Sequence, residues 1–233
     1  RDVSLTLRAG EVLGIAGVVG SGRTKVAEAI FGIDRYVTGE VRIGGIAAQD
    51  RDPRRSMAMG LAYVPEDRHA HGLFLTLPSS WTISASALTL GRGDLLGASA
   101  GDAFAQGFID RLRIKLASPR QPARKLSGGN QQKLVLARTL ASGPRAIILD
   151  EPTRGINARA RQDVYRIVRD LTEAGVGVIV ISSELGEVAE LADRVMVMRR
   201  GRLVAMAEGA LSVVRISAAT FERHVDDSAE ARP

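Results

Sequence analysis

Residues 126–132, LSGGNQQ, and residues 147–152, IILDEP, are the stretches that decide the fold of this 233-residue chain. The first places a hydroxyl and two glycines ahead of a helical pattern, and the second is an apolar run that ends in two carboxylates. A third stretch, residues 17–24 (GVVGSGRT), lies upstream, between a strand-like run and a helical one. The prediction rests on the order of all three, because each alone is compatible with an ordinary turn, cap or strand end.

The glycine-rich stretch has the spacing of a phosphate-binding loop. Glycines let the backbone turn tightly and aim N–H groups at a phosphate, and the start of the following helix adds a favourable dipole. Thr24 stands where a hydroxyl would bind Mg²⁺, but the usual lysine position holds Arg23. Arginine is a planar fork rather than a point charge, although it can still pair with phosphate. Lys25 lies two residues further along.

The run at residues 146–149 is fully apolar, as in a parallel strand covered on both faces. Asp150 and Glu151 follow it directly, at the edge where α/β sheets place their ligands. Further along the chain, Ser127 is predicted to cap a helix that runs through Leu140. A helix start with small residues can approach a phosphate closely.

Strand and helix patterns alternate along the chain, which predicts an α/β layered fold. Pro119 and Pro122 interrupt the pattern ahead of the LSGG segment. The predicted strands are residues 3–7, 12–16, 40–43, 61–64, 146–149 and 176–181, with a hairpin at 194–198 and 202–205. The predicted helices are residues 22–32, the middle stretch 81–116, the segment that follows Ser127, and residues 159–172 and 187–191.

The composition excludes several classes of protein. The chain has no cysteine, which removes disulfides, thiolate catalysis and cysteine-ligated metals. Its net charge of +6 would suit an anionic partner, but the arginines are dispersed and aromatic residues make up only 4%. Because single-strand binders interleave aromatics for base stacking, we expect no direct binding of nucleic acid. No apolar run approaches the roughly 20 residues that span a bilayer. The chain begins without methionine, and we expect a piece of a longer protein.

The three motifs, in this order, resemble the nucleotide-binding domain of ABC transporters. Together with residues 63–68 (YVPEDR) and 181–184 (ISSE), they resemble the second ATP-binding domain of tandem subunits in bacterial importers of ribose, galactose and xylose type. The resemblance runs from residue 1 to about residue 207. It implies an α/β P-loop NTPase fold with a RecA-like core, a small antiparallel β subdomain and an ABC helical subdomain. The implied divisions are a domain at residues 1–210, its helical subdomain at about 76–141, and a partly disordered tail at 211–233.

The resemblance also assigns roles within the site. Glu151 takes the place of the catalytic carboxylate, and Thr24, Glu66 and Asp150 take the places of Mg²⁺ contacts. Glu66 stands where the family has a glutamine, and Ser183 stands where it has the histidine that holds the γ-phosphate. The implied contacts with ATP are Gly17, Val18, Val19, Gly20, Ser21, Gly22, Arg23, Thr24, Lys25, Glu66, Ser127, Gly128, Gly129, Gln131, Asp150 and Ser183.

By this resemblance the chain is the ATP-hydrolysing motor of a sugar importer, cytoplasmic and peripheral on the inner face of the cell membrane. Its partners would be a second nucleotide-binding domain, upstream in the same polypeptide, the permease subunits and, indirectly, a periplasmic sugar-binding protein. In such tandem subunits the first domain has the intact loop lysine, so the LSGG segment here would complete that domain's site. Two alternatives stay open: a regulatory half with little turnover, and a soluble ABC-type ATPase acting on nucleic acid or ribosomes.

Overall fold

Six strands form the central sheet in the described part of the chain, in the order β4 (Leu61–Val64), β5 (Ala146–Asp150), β6 (Gly177–Ser182), β1 (Val12–Ala16), β7 (Arg194–Arg199) and β8 (Arg202–Glu208). All neighbouring strands are parallel except β7 and β8, which form an antiparallel hairpin. This is a computed structural model, and it describes residues 3–34, 38–48, 52–208 and 217. A separate antiparallel pair comprises β2 (Arg42–Ile43) and β3 (Ile46–Ala47).

Seven α-helices lie in the described part of the chain, and they cover both faces of the sheet or form a layer beside it. They are α1 (Arg23–Phe31), α2 (Pro53–Ala58), α3 (Ser79–Thr89), α4 (Ala98–Arg111), α5 (Gly128–Leu140), α6 (Ala158–Glu173) and α7 (Leu185–Leu191). Short helical turns at Arg68–Gly72, Gly93–Leu96 and Ala123–Lys125 connect them.

Alternate residues of β5 enter two different apolar clusters, which explains why the strand carries no polar residue before Asp150. Ile147 and Leu149 pack with α5 and α6, whereas Ile148 packs with α1 and β7. Both faces of the strand are therefore covered by apolar side chains, as expected for a parallel sheet. The same topology brings the carboxyl ends of β1, β4, β5 and β6 to one edge, where the motif residues follow them.

Helices α3, α4 and α5 pack on one another, and α5 also contacts β4 and α6. This group lies in the range predicted for the helical subdomain, whose boundaries stay a prediction. The single helical stretch predicted for residues 81–116 is wrong in detail. Helix α3 ends at Thr89, because Gly91 adopts a left-handed φ of 94°, and α4 begins at Ala98.

The strand predicted at residues 3–7 is also wrong. Val3, Leu5 and Leu7 are half-buried, alternate with exposed residues and pack against the apolar cluster on the α1 face, but they pair with no strand that the structure describes. The small antiparallel sheet predicted near the N-terminus is confirmed, as β2 and β3. The tail predicted at residues 211–233 lies outside the described residues, apart from residue 217. No helix in the described ranges is long and apolar enough to cross a membrane.

Candidate functional site

The phosphate loop connects β1 to α1 and has the tight backbone that its glycines predict. Gly20 and Gly22 adopt left-handed φ values of 82° and 97°. A side chain on Gly17 would place its Cβ 2.5 Å from the Met198 carbonyl oxygen, so only glycine fits. The Ser21 hydroxyl is buried and has no hydrogen-bond partner within the described residues. A tight loop at a helix start, with a free hydroxyl, is suited to an anion.

Arg23 turns inward from this loop. Its side chain is only 7% exposed, with Nη1 donating to the Ser182 carbonyl and Nη2 donating to Glu151 Oε1 at 3.1 Å. Burial lowers the pKa of Arg23, and the nearby carboxylates of Glu151 and Asp150 act in the opposite direction. The guanidinium therefore donates its hydrogen bonds to protein groups at the sheet edge.

Glu151 accepts hydrogen bonds from three donors. Besides Arg23, the Ser183 backbone N–H lies 2.8 Å from Oε1 and the Ser183 hydroxyl lies 3.1 Å from Oε2. The Glu151 backbone has a φ of 48° and donates its N–H to the Ile181 carbonyl at 2.8 Å. Each of these bonds occupies a carboxylate lone pair that an attacking water would otherwise use.

Asp150 is fully buried beside Glu151, at the end of β5. Its Oδ2 accepts the Tyr63 hydroxyl at 3.1 Å, and the Thr24 side chain lies close to its carboxyl. Burial raises the pKa of Asp150, and the Thr24 and Tyr63 hydroxyls partly offset that rise. Its Oδ1 has no partner within the described residues. A free carboxylate oxygen next to a threonine hydroxyl fits Mg²⁺, which takes oxygen ligands from one or two carboxylates and from phosphates.

Two of the other candidates are engaged by neighbours. Glu66 forms an ion pair with Arg154, although it lines the same cleft of about 600 Å³ as Thr24. Lys25 is 74% exposed and pairs with Glu28, Nζ to Oε2, at 2.7 Å. Neither side chain joins the hydrogen-bonded set around Asp150 and Glu151.

The LSGG segment starts α5, and close packing requires the second of its glycines. A Cβ on Gly129 would lie 2.5 Å from that of Ala160 on α6, and one on Gly128 would lie 3.3 Å from Arg68 Nη2. Ser127 is exposed at the N-cap position, but its side chain makes no capping hydrogen bond, contrary to the sequence prediction.

Gln131, one turn further along α5, is buried. Its amide nitrogen donates to the Ala123 carbonyl at 3.1 Å, and its oxygen lies 2.9 Å from His69 Nε2. Its polar atoms therefore serve contacts inside the helical region.

The structure brings two neighbouring groups of side chains together at the sheet edge: Arg23, Glu151 and Ser183 are joined by hydrogen bonds, and Asp150 lies beside them with Thr24. Ser127, Gly128 and Gly129 lie at the start of α5, against α6 and Arg68.

Sequence reasoning missed Tyr63, whose hydroxyl contacts Asp150. Pairing the predicted strands 61–64 and 146–149 would have indicated it, because Tyr63 lies opposite Ile148, two residues before Asp150. It also missed Arg154, and no signal in the sequence marks that residue as a partner of Glu66.

The family model described as "ABC transporter" matches residues 1–154. The chain is 48% identical over 206 residues to "Ribose import ATP-binding protein RbsA 2" of Burkholderia pseudomallei (strain 1710b), covering 87% of the chain and 40% of the relative. It is 40% identical over 203 residues to "Ribose import ATP-binding protein RbsA" of Bacillus subtilis (strain 168), covering 87% and 41%. The chain thus spans about 40% of the length of these relatives.

Solved structures agree on the fold. The dimeric bacterial ABC transporter cassette MJ0796 superposes with a TM-score of 0.77 at 22% identity, covering 88% of each chain. A nucleotide-free ATP-binding cassette from an ABC transporter gives 0.76 at 20% identity, covering 91% of this chain and 86% of that one. The match to the family model, the identity to the RbsA proteins and the shared fold lead to one conclusion: this chain belongs to the ABC transporter family.

Proposed function

We propose that this chain is the ATP-binding motor domain of a bacterial sugar importer, in which ATP binding and hydrolysis rearrange membrane permease subunits. The observation that carries the proposal is the meeting of the phosphate loop with Asp150 and Glu151 at one edge of the sheet. The relatives named for ribose import support sugar as the cargo. When bound, Mg²⁺ would neutralise phosphate charge, and Thr24 and Asp150 are the side chains that would hold it.

The chain's own nucleotide site is proposed to hydrolyse ATP slowly. Arg23 replaces the loop lysine and is committed to Glu151 and to the Ser182 carbonyl. Ser183, in the place of the family's histidine, also binds Glu151 instead of standing free. Each electrostatic contact withdrawn from a transferring phosphate typically lowers the rate by about 10² to 10³.

The LSGG segment is proposed to act on a nucleotide held by a second ABC domain. Ser127 is exposed and uncapped, so its hydroxyl and the first N–H groups of α5 can meet a phosphate from outside the chain. The greater length of the relatives supports a second domain in the same polypeptide. Glu151 would then matter little for turnover, whereas Ser127 would matter greatly.

Permease contact is assigned to the start of the helical region. Phe74, Leu77 and Trp81 are 42%, 42% and 52% exposed, while Leu73 beside them is buried. Large exposed apolar side chains grouped on one surface are characteristic of a partner site. We therefore propose that the domain lies on the cytoplasmic face of the membrane, with the sugar-binding protein as an indirect partner.

A regulatory half with little turnover is the second candidate, and the Arg23–Glu151 ion pair favours it for the chain acting alone. The two functions differ in what happens when a second ABC domain is present. Only a motor domain would then support turnover that depends on its LSGG segment.

The deciding experiment measures Mg-ATP turnover in the assembled transporter for the wild type, Ser127→Arg and Glu151→Gln. We expect Ser127→Arg to abolish turnover without changing ATP binding to this chain, and Glu151→Gln to change it little. Ser118→Arg is the matched control, because Ser118 is an exposed serine in the same helical region. Unchanged turnover in Ser127→Arg would refute the proposed role of the LSGG segment in the second domain's site. A large loss of turnover in Glu151→Gln would refute slow hydrolysis at this chain's own site.

A further inference from the structure

Asn130 joins Ser127 to the chain segment that follows α4. The Lys115 backbone N–H donates to Asn130 Oδ1 at 2.9 Å. The Asn130 Nδ2 group in turn donates to Ser127 Oγ at 3.0 Å. One amide side chain therefore holds the LSGG serine on one side and a backbone group of a separate segment on the other.

The orientation of the Asn130 amide follows from chemistry. A backbone N–H can only donate, so the atom that faces Lys115 must be the amide oxygen. The NH₂ group then faces Ser127, and an NH₂ group can only donate. Ser127 Oγ must accept this bond, so its own proton points elsewhere.

The segment that sets this orientation is itself held in place. Lys133, buried on α5, donates from Nζ to the Arg113 carbonyl at 2.6 Å and pairs with Asp163 at 3.3 Å. Ile114, next to Lys115, is 5% exposed and donates its N–H to the Ile109 carbonyl. The Lys115 N–H thus has a defined position relative to the first turn of α5.

We propose that Asn130 is a positioning residue that keeps the Ser127 hydroxyl proton directed outward, as a donor to a phosphate of the nucleotide on the second domain. The proposal rests on the function in trans given above. A hydroxyl that already accepts one hydrogen bond donates a second more strongly, so the amide both aims the proton and strengthens the donor. Ser127 is exposed, and its hydroxyl donates to no group within the described residues, which leaves the proton available.

Asn130→Asp tests the direction of the proton with almost no change in shape. The carboxylate still accepts from Lys115, but its second oxygen now accepts from Ser127 and draws the hydroxyl proton inward. In the assembled transporter we expect kcat to fall about 10²-fold, as for loss of one oriented donor, with the KM for ATP changed less than about twofold. Asn130→Ala frees the proton without reversing it, and we expect a loss of about tenfold.

Each change is repeated in a Ser127→Ala background, and the melting temperature of every variant is measured. Because Asn130 is argued to act through Ser127, neither change should lower kcat further once the hydroxyl is gone. Three results would each overturn the positioning role. The first is an equal fractional loss of kcat with and without Ser127→Ala, and the second is an unchanged kcat in Asn130→Asp. The third is a rise in KM that parallels a fall in melting temperature. If Ser127→Ala itself leaves turnover unchanged, the proposed function in trans fails instead, so the two failures are distinguishable.

Discussion

The Arg23 guanidinium and the Glu151 carboxylate form a buried ion pair, with Nη2 3.1 Å from Oε1 and side chains 7% and 10% exposed. One partner comes from the phosphate loop and the other from the acidic strand end, so the two motifs neutralise each other. A phosphate that recruited Arg23 would have to leave Glu151 without this counter-charge, which is costly at a buried position. We propose that the pair opposes both tight phosphate binding and activation of water.

Arg23→Lys should increase the affinity for ATP. The shorter side chain carries a compact charge that suits the phosphates and cannot span Glu151 and the Ser182 carbonyl together. We expect Kd to fall about tenfold, a gain of ~1.4 kcal/mol, when measured by calorimetry. Arg194→Lys is the control, because Arg194 forms a comparable buried pair with Glu11 at 2.8 Å and lies outside the site. An equal gain in both variants would contradict the explanation.

Arg23→Ala should destabilise the fold by about 3 kcal/mol, because it leaves a buried carboxylate without its partner. Urea unfolding measures the change. Adding Glu151→Gln should recover about 1 kcal/mol or more, since the two residues interact directly. Lys25→Ala, which removes an exposed cation on the same helix, should leave the unfolding midpoint unchanged. If the effects of the Arg23 and Glu151 changes on the free energy of unfolding are strictly additive, the ion pair does not contribute to stability.

Gly129→Ala should destabilise the chain even though alanine is the better helix former. The new Cβ would lie 2.5 Å from that of Ala160, and overpacking of this kind costs about 1–3 kcal/mol. Adding Ala160→Gly should restore part of the lost stability. Gly107→Ala, at an open position in α4, should instead stabilise by up to about 1 kcal/mol. Thermal unfolding of the wild type and these three variants separates the clash from helix propensity, and stabilisation by Gly129→Ala would disprove the clash.

Mg-ATP binding should release a proton at pH values near the raised pKa of Asp150. Burial raises the pKa of Asp150 in the free protein, whereas a carboxylate that holds Mg²⁺ must be ionised. Affinity should therefore rise with pH through this raised pKa and level off above it. Calorimetry in buffers of different ionisation enthalpy counts the proton. Asp150→Asn, or ATP in the presence of EDTA, should abolish the release, and persistence in Asp150→Asn would assign the proton to another group.

Trp81→Glu should weaken assembly with the permease without changing ATP binding or the melting temperature. Trp81 is 52% exposed beside Leu77 and Phe74, so a charge there disturbs a surface and not the core. Ile46→Glu is the control, since Ile46 is 68% exposed on the separate two-stranded sheet. Co-purification of the permease with each variant gives the comparison. Equal retention of the permease by both would remove this surface as the contact.

The strands and helices that carry the motifs could be predicted because their signals are local. The apolar run before Asp150 identifies β5, and the glycine spacing identifies the phosphate loop. The errors fall where local pattern and long-range pairing disagree. Residues 3–7 alternate like a strand, but within the described residues they pair with no strand and pack instead against the apolar cluster on the α1 face.

The order and spacing of residues 17–24, 126–132 and 147–152 by themselves determined the family, the parallel sheet and the edge at which the site lies. The substitution of arginine for lysine at Arg23 was equally visible. The structural consequence of this substitution was not visible in the sequence, because the hydrogen-bond partner of a long side chain depends on which elements the fold brings within reach. Only the tertiary structure decided that Arg23 binds Glu151, that Arg154 binds Glu66, and that Asn130 directs Ser127. Those partners are remote in sequence or depend on a third segment, and a hydrogen bond requires contact within about 3 Å.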